Sequence, residues 1–229
     1  GSHPHRGIET VTIAYKGKVE HNDSTGAGGV IEEGGIQWMT SGKGILHKEY
    51  HEKNFSKKGG DMQMVQLWVN LPAKDKMTEP KYQNIENNDL AKVDLGNGIG
   101  SIDIIAGEFE KNKGPASSFT PLSLFNVKLN KGKGTSLSFN ESHNTGLLII
   151  KGNVTINNSE KAPTNHFVLF ENKGKEFTIK AEDEAEILVL SGEPIDEPIA
   201  SYGPFVMNTN EEIRQTIDDF NSGKFGYLD

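Results

Sequence analysis

Short runs in which apolar and polar residues alternate dominate the chain and predict β-strands rather than helices. From residue 7 to residue 15, Val11, Ile13 and Tyr15 are separated by threonine and alanine, as in a strand with one buried face. The same pattern predicts strands at residues 19–21, 35–40, 62–71, 101–109, 122–129, 134–139, 145–151, 153–156, 166–170, 176–181 and 184–191. Glycine and proline separate these segments, which is typical of a β-sandwich or barrel.

Near the C-terminus the spacing of apolar residues changes from that of a strand to that of a helix. Thr209 and Glu212 form a capping box, and an apolar stripe with i, i+4, i+7 spacing begins at Ile213. Asp219 is expected on the opposite, polar face, and Gly223 is placed to end the helix. We therefore predict one C-terminal helix that packs on a sandwich.

An internal repeat divides the chain. Residues 15–24 and 150–159 share Lys, Gly, Val, Asn and Ser at equivalent positions, and both copies follow an apolar strand. Two domains of one architecture explain this repeat. We place an N-terminal domain at residues 1–108 and a C-terminal domain, with the helix, at residues 109–229.

Composition narrows the class of protein. The chain has 229 residues, no cysteine and a formal charge of −8 at pH 7. The lack of thiols excludes disulfides, thiolate zinc sites and a cysteine nucleophile. The acidic balance argues against direct nucleic-acid binding, which relies on basic residues. Because no apolar run is long enough for a bilayer and no signal segment is visible, we expect a cytoplasmic monomer with no membrane contact.

Two pairs of side chains carry candidate chemistry. His3 and His5 are two residues apart, and so are His47 and Glu49. On an extended chain this spacing turns both members of a pair to one side. Imidazole and carboxylate suit iron, manganese, copper, nickel or zinc, and the lack of thiolate argues against a structural zinc site. Each pair alone is more often a surface feature, so the metal-site hypothesis depends on the two pairs meeting.

The N-terminal repeat alone carries this metal chemistry. The repeat offset places Ser138 and Asn140 where the first copy has His3 and His5. The second copy therefore lacks the His-x-His pair.

Several blocks of the chain resemble the pirin family of the cupin superfamily. Residues 3–12 (His-Pro-His-Arg-Gly-Ile-Glu-Thr-Val-Thr) and residues 37–49 (Gln-Trp-Met-Thr-Ser-Gly-Lys-Gly-Ile-Leu-His-Lys-Glu) are similar to its two signature blocks. Further similar blocks lie at residues 64–72, 80–83, 192–195, 203–209 and 223–226. Compared with the general cupin pattern, the spacing after Glu9 is longer by one residue. This departure is the pirin variant.

The resemblance implies an all-β fold of two cupin-type barrels or sandwiches packed face to face, with the C-terminal helix. It also implies one iron, Fe(II) or another first-row divalent metal, in the N-terminal barrel. Carried over by position, the ligands are His3, His5, His47 and Glu49. Glu9 is expected either to orient an imidazole or to be a strand-end surface charge. His21, His51, His143 and His166 are interpreted as surface residues.

The same resemblance suggests residues that line the pocket: Gln37, Met39, Gln66 and Trp68. Ordinary core packing is the preferred interpretation for Met39 and Trp68.

The function implied is that of a quercetin 2,3-dioxygenase: an oxidoreductase that uses O₂ to cleave flavonols and releases carbon monoxide, with Glu49 as the catalytic base. The alternative is an iron-binding, redox-responsive module that contacts a protein partner without oxygenase turnover; the acidic charge suits such a partner better than nucleic acid. The substrate class rests on the resemblance alone.

The first residues admit two origins. Gly-Ser-His is also the remnant that an expression vector leaves, but a native His3 is preferred, because it completes the His-Pro-His block. Pirins carry a segment ahead of this block, so we expect that an upstream segment is missing from the sequence.

Overall fold

The computed structural model describes residues 1–229, and their contacts separate two compact units. The first unit combines Gly1–Asp89 with Asp196–Asp229, and the second is Leu90–Ile195. Both units are built mainly from antiparallel strands, as the alternating pattern predicts. This architecture confirms the all-β class and the presence of two β-domains.

Two four-stranded sheets form the body of the first unit. Sheet A contains, in spatial order, β1 (His3–His5), β6 (Ile45–His51), β3 (Val19–Asp23) and β4 (Gly28–Ile31). Sheet B contains β7 (Gln63–Asn70), β2 (Ile8–Lys16), β5 (Ile36–Thr40) and β8 (Lys81–Ile85). Side chains of the two sheets meet directly, since the Thr12 hydroxyl of β2 donates to the Glu49 carboxylate of β6. This is a two-layer sandwich with a partly polar interior.

Shorter elements complete the first unit. They are helix α1 (Lys53–Lys58), 3₁₀ turns at Ala73–Asp75 and Asn87–Asp89, the hairpin of β21 (Ala200–Tyr202) and β22 (Phe205–Met207), and helix α2 (Asn210–Asn221). No helix of the chain has both the length and the hydropathy needed to span a bilayer.

The second unit pairs a six-stranded sheet with a four-stranded one. The larger sheet contains β18 (Phe167–Leu169), β15 (Asn144–Lys151), β20 (Ala185–Gly192), β13 (Leu122–Leu129), β10 (Gly100–Ala106) and β9 (Ala91–Asp94). The smaller contains β14 (Gly134–Ser138), β19 (Glu176–Ala181), β16 (Val154–Ile156) and β17 (Glu160–Ala162), and β11 (Glu108–Phe109) pairs with β12 (Asn112–Lys113).

The interior of the second unit is apolar. Phe139 contacts the rings of Phe125 and Phe177, with centroids 5.9 and 6.1 Å away, and Phe170 stacks on Phe177 at 4.4 Å. These rings belong to a large cluster of buried aliphatic side chains. The two repeats therefore share a strand arrangement but not a candidate metal site. The first unit contains a histidine cluster, and the interior of the second unit contains packed phenylalanine rings.

The internal repeat corresponds to equivalent turns. Gly17 links β2 to β3 with φ +85°, and Gly152 links β15 to β16 with φ +80°. A left-handed φ is readily available to glycine, which explains why both copies keep this residue.

The predicted boundary between residues 108 and 109 differs from the division in the structure. Strand β10 belongs to the second unit, because Ile102 pairs with Val127 in its central sheet. Helix α2 belongs to the first unit, although it follows the second unit in sequence.

A buried ion pair holds α2 in the first unit. The helix begins at the capping box of Thr209 and Glu212, as predicted. Asp219, however, is buried and not solvent-facing: its Oδ2 accepts from the Arg6 guanidinium at 2.9 Å. Arg6 also donates from Nε to the Lys43 carbonyl at 2.7 Å. The helix is thereby tied to the residue that follows His5.

We predict that Asp219→Asn lowers the free energy of unfolding by about 1–2 kcal/mol at neutral pH. Hydrogen bonds from Lys224, Gln215 and Arg6 outweigh burial and lower the pKa of Asp219 to about 2. A lowered folded pKa stabilises the fold above the ordinary value of 3.8, and this stabilisation disappears as the pH falls towards 2. Chemical denaturation at several pH values should show the difference shrinking below pH 4. Asp218→Asn, at an exposed position with the same charge change, should have little effect at any of these pH values.

Candidate metal centre

A bend at Gly7 separates the two N-terminal strands. Gly7 has φ +80°, and a Cβ placed there would lie 2.0 Å from the Val206 carbonyl oxygen. Because of this bend, β1 joins sheet A while β2 continues in sheet B. A single strand from His3 to Tyr15 would place His3 and His5 on the face of Val11, but the bend assigns the histidines and Val11 to different sheets.

Pairing of β1 with β6 brings three imidazoles together. His3 lies directly opposite His47, and neighbouring cross-strand side chains share one face of a sheet. The ring centroids are 4.3 Å apart for His3 and His47, 4.9 Å for His5 and His47, and 5.1 Å for His3 and His5. One nitrogen from each ring lies within 4.8 Å of the other two.

Three ring nitrogens of this cluster, two from His5 and one from His47, are buried without partners. His5 is 2% exposed and His47 0%, and neither nitrogen of His5 nor Nε2 of His47 has a hydrogen-bond partner. Burial and the adjacent His3 lower the pKa of His5 to about 4. Burial and the neighbouring imidazoles lower the pKa of His47 to about 2. Neutral rings with free lone pairs are what a metal ion requires, so these residues fit one.

Glu49 lies on the same strand but outside the cluster of three nitrogens. Its Oε1 accepts from the Thr12 hydroxyl at 2.7 Å, and its Oε2 accepts from the Gln66 amide at 2.6 Å. The carboxylate is therefore held in a fixed position by two donors from sheet B.

His21 and Asp23 were missed by the sequence interpretation. His21 is 1% exposed and not a surface residue; its ring stacks on Tyr82 with centroids 4.8 Å apart. In β3, Val19, His21 and Asp23 alternate as buried residues, and Asp23 pairs opposite His47. This period-2 pattern, which begins at the apolar Val19, was the sequence signal that could have indicated burial of His21 and Asp23.

Glu9 fits neither of its two expected roles. It is 1% exposed, and its Oε1 accepts from the Thr40 hydroxyl at 2.7 Å. No hydrogen bond joins Glu9 to a histidine. Burial raises its pKa, against weaker opposing hydrogen bonds from Thr40 and Trp38.

The other expected pocket residues take different positions. Met39 is buried, as core packing predicts, and Gln37 is buried with both amide atoms unpartnered. Trp68 is 51% exposed, so it is not a core residue, and its ring meets the His5 ring edge-on at 5.3 Å. Among the other predicted surface histidines, His51 and His166 are exposed, whereas His143 is half-buried and its Nδ1 lies 3.4 Å from the Ser191 hydroxyl.

Comparison with known proteins gives the family. The Pirin family model matches residues 1–69, and the Pirin C-terminal cupin domain matches residues 124–226. A Pseudomonas aeruginosa protein named as a proposed quercetin 2,3-dioxygenase is 45% identical over 98% of this chain and 78% of its own. The chain belongs to the pirin family. This confirms the resemblance carried by the sequence blocks.

Other pirin relatives agree with this assignment. A pirin-like protein of Solanum lycopersicum is 37% identical over 98% of this chain and 76% of its own. The crystal structure of quercetin 2,3-dioxygenase from Acinetobacter baumannii is 47% identical, with a TM-score of 0.96, and the match covers 100% of this chain and 80% of that one. The histidine cluster lies inside the segment that the Pirin model matches.

We predict that Gly7→Ala destabilises the first unit and lowers its affinity for divalent metal. Gly26 also has a left-handed φ, +85°, but a Cβ there meets nothing within 4 Å. Gly26→Ala therefore carries the backbone penalty without the collision. Thermal or chemical unfolding should show Gly7→Ala to be less stable than Gly26→Ala by about 1–3 kcal/mol. Equal stabilities would show that the approach to Val206 is not what requires glycine.

Proposed function

We propose that this pirin is an iron-dependent dioxygenase that cleaves flavonols such as quercetin with O₂ and releases carbon monoxide. The observation that carries the proposal is the cluster of three imidazoles, in which both ring nitrogens of His5 and Nε2 of His47 are buried without a protein partner. Buried polar atoms without partners are rare in folded proteins, and they are common where a ligand completes the site. The 47% identity to the Acinetobacter baumannii enzyme supports the choice of reaction.

In this proposal His3, His5 and His47 hold the metal, and Glu49 is the fourth ligand. Imidazole and carboxylate donors suit Fe(II), or another first-row divalent ion, and the chain has no thiolate to offer. When bound, iron would supply a Lewis acid for the substrate hydroxyl and a redox centre for O₂. Each imidazole contributes as a neutral donor, in accord with the lowered pKa values of His5 and His47.

Glu49 is also the proposed proton acceptor. Deprotonation of the flavonol 3-hydroxyl makes the ring electron-rich, and a carboxylate beside the metal can take that proton. Thr12 and Gln66 each donate to one oxygen of Glu49 and so orient it. When substrate or metal binds, one oxygen of Glu49 would give up its hydrogen bond from Thr12 or Gln66 and contact the bound group instead. This change requires no movement of β6.

Side chains of sheet B provide the proposed substrate environment. The exposed indole of Trp68 meets the His5 ring and offers a flat apolar surface for an aromatic substrate. The Gln37 amide and the Tyr82 hydroxyl are unpartnered and available for substrate oxygens. An aromatic face with a few polar groups is typical of small-molecule sites.

A second candidate function uses the same metal centre in regulation. A redox-responsive pirin would bind a protein partner without oxygenase turnover. The formal charge of −8 favours a protein partner over nucleic acid. Affinity capture that depends on the iron oxidation state, together with an absence of quercetin turnover, would support this candidate over the dioxygenase.

We predict that the wild-type protein binds about one iron per chain and that His47→Ala loses it, because the central imidazole of the cluster is removed. Elemental analysis after anaerobic loading with Fe(II) measures this. His51→Ala is the matched control, since His51 lies on the same strand but is exposed. Equal iron in the wild type and His47→Ala would contradict the proposed ligand set.

We predict that the iron-loaded protein consumes O₂ and releases carbon monoxide from quercetin, and that Glu49→Gln lowers kcat on the order of 100-fold. Glutamine keeps the size of the side chain and its contact with Thr12, but it cannot accept the proton. Oxygen electrode measurements with carbon monoxide detection follow the reaction. Unchanged turnover in Glu49→Gln would rule out its role as the base, and no turnover by an iron-loaded wild type would rule out the dioxygenase.

A further inference from the structure

We propose that His21 and Asp23 are positioning residues that set the tautomer and the orientation of His47 through a chain of hydrogen bonds. The inference rests on the proposed metal centre, because its consequence is that Nε2 of His47 is the nitrogen presented to the ion. Neither residue is a proposed ligand, and neither belongs to the cluster of three imidazoles.

The three side chains form a continuous buried path across β3 and β6. His47 Nδ1 lies 3.4 Å from His21 Nδ1, and His21 Nε2 lies 3.4 Å from Asp23 Oδ2. His21 and Asp23 are 1% and 3% exposed. The Tyr82 ring stacks on the His21 ring, with an interplanar angle of 17°, and restricts its rotation. Water therefore does not compete for these contacts, and the rings have little freedom to leave them.

Proton placement along this path has only one consistent solution for neutral rings. A carboxylate oxygen can only accept, so His21 Nε2 must carry the proton that faces Asp23. Nδ1 of His21 is then an acceptor, and His47 Nδ1 must be the donor to it. This assigns the His47 proton to Nδ1 and leaves the lone pair on Nε2, which is the atom without a protein partner.

Asp23 is itself fixed by contacts that leave only one oxygen for His21. Its Oδ1 accepts from the Thr25 backbone N–H at 2.9 Å, from the Thr25 hydroxyl at 2.6 Å and from the Ala27 N–H at 3.2 Å. Burial would raise the pKa of Asp23, but the hydrogen bonds from His21 and Thr25 together lower it. The carboxylate is therefore anionic and faces His21 with a single acceptor.

These contacts make Asp23→Asn a directional test. Three donors around Oδ1 orient the amide so that its oxygen replaces Oδ1 and its NH₂ group replaces Oδ2. The NH₂ group is a donor, so His21 Nε2 becomes an acceptor and Nδ1 of His21 carries the proton. That proton faces His47 Nδ1 and forces the His47 proton onto Nε2. Replacing Oδ2 of Asp23 by an NH₂ group thus reverses the tautomers of His21 and His47. It places a proton on His47 Nε2, the nitrogen proposed to bind the metal.

The first readout requires no metal. Long-range ¹H–¹⁵N correlation spectra of the histidine rings in metal-free protein report the tautomer of each ring. We expect His47 to be protonated on Nδ1 in the wild type and on Nε2 in Asp23→Asn. The same Nε2-protonated tautomer in both proteins, or no change on substitution, would overturn the inference.

The second readout is the affinity for Fe(II), measured anaerobically by competition with a chromophoric chelator. We expect Asp23→Asn and His21→Leu to weaken binding about 10–100-fold, as loss of a partner behind a ligating histidine generally does. In His21→Asn an amide oxygen can replace the Nδ1 acceptor, so binding should stay within about 3-fold of the wild type. His51→Asn, on the exposed end of β6, is the control for changing a histidine in this sheet.

The two measurements distinguish failure of the positioning role from failure of the proposed metal centre. If the wild type binds no Fe(II), the metal centre fails, and the tautomer spectra still decide the positioning role. If Asp23→Asn and His21→Leu bind Fe(II) as tightly as the wild type, the positioning role fails while the metal centre stands. If His21→Leu does not fold, Asp23→Asn and His21→Asn carry the comparison, and equal affinity in Asp23→Asn overturns the inference.

Discussion

The pairing of the three-residue strand β1 with β6 is the contact on which the candidate site depends. The register that places His3 opposite His47 brings the imidazoles of both histidine-bearing segments to one face. A slip of one residue would turn His3 and His5 to the other face of the sheet. The bend at Gly7 makes this register possible, because it allows β1 to leave the sheet that β2 enters.

C-terminal residues hold this short strand and its partner in place. Arg6, next to His5, is bound by Asp219 and lies over the Phe225 ring at 4.7 Å. Ser24 donates to the Phe225 carbonyl at 2.6 Å and accepts from the Leu46 N–H at 3.0 Å, directly before His47. Residues distant in sequence thus stabilise both histidine segments, which explains why α2 belongs to the first unit. Burial of the unpaired nitrogens of His5 and His47 is unfavourable by itself, so these contacts help to offset its cost.

Much of this fold follows from local sequence signals. The β13 and β19 strands and the capping box of α2 lie where alternation and capping chemistry place them. The positions of β10 and α2 in their units do not follow, because strand pairing and helix docking are long-range contacts that local periodicity does not encode. Strand parity also does not continue from Val11 back to His3 and His5, because the left-handed Gly7 separates β1 from β2.

The site was predictable in its residue types but not in its surroundings. His3, His5 and His47 meet as the resemblance implies, whereas Glu49 is held by Thr12 and Gln66. The burial of His21 and Glu9 depends on which sheet face each side chain occupies, and neither residue type indicates burial by itself.

X-ray absorption at the iron edge of the loaded protein tests the central claim most directly. The account predicts multiple scattering from three imidazole rings, those of His3, His5 and His47, around a single ion. A coordination sphere of light atoms without imidazole scattering would contradict it, because the buried nitrogens would then have some other purpose.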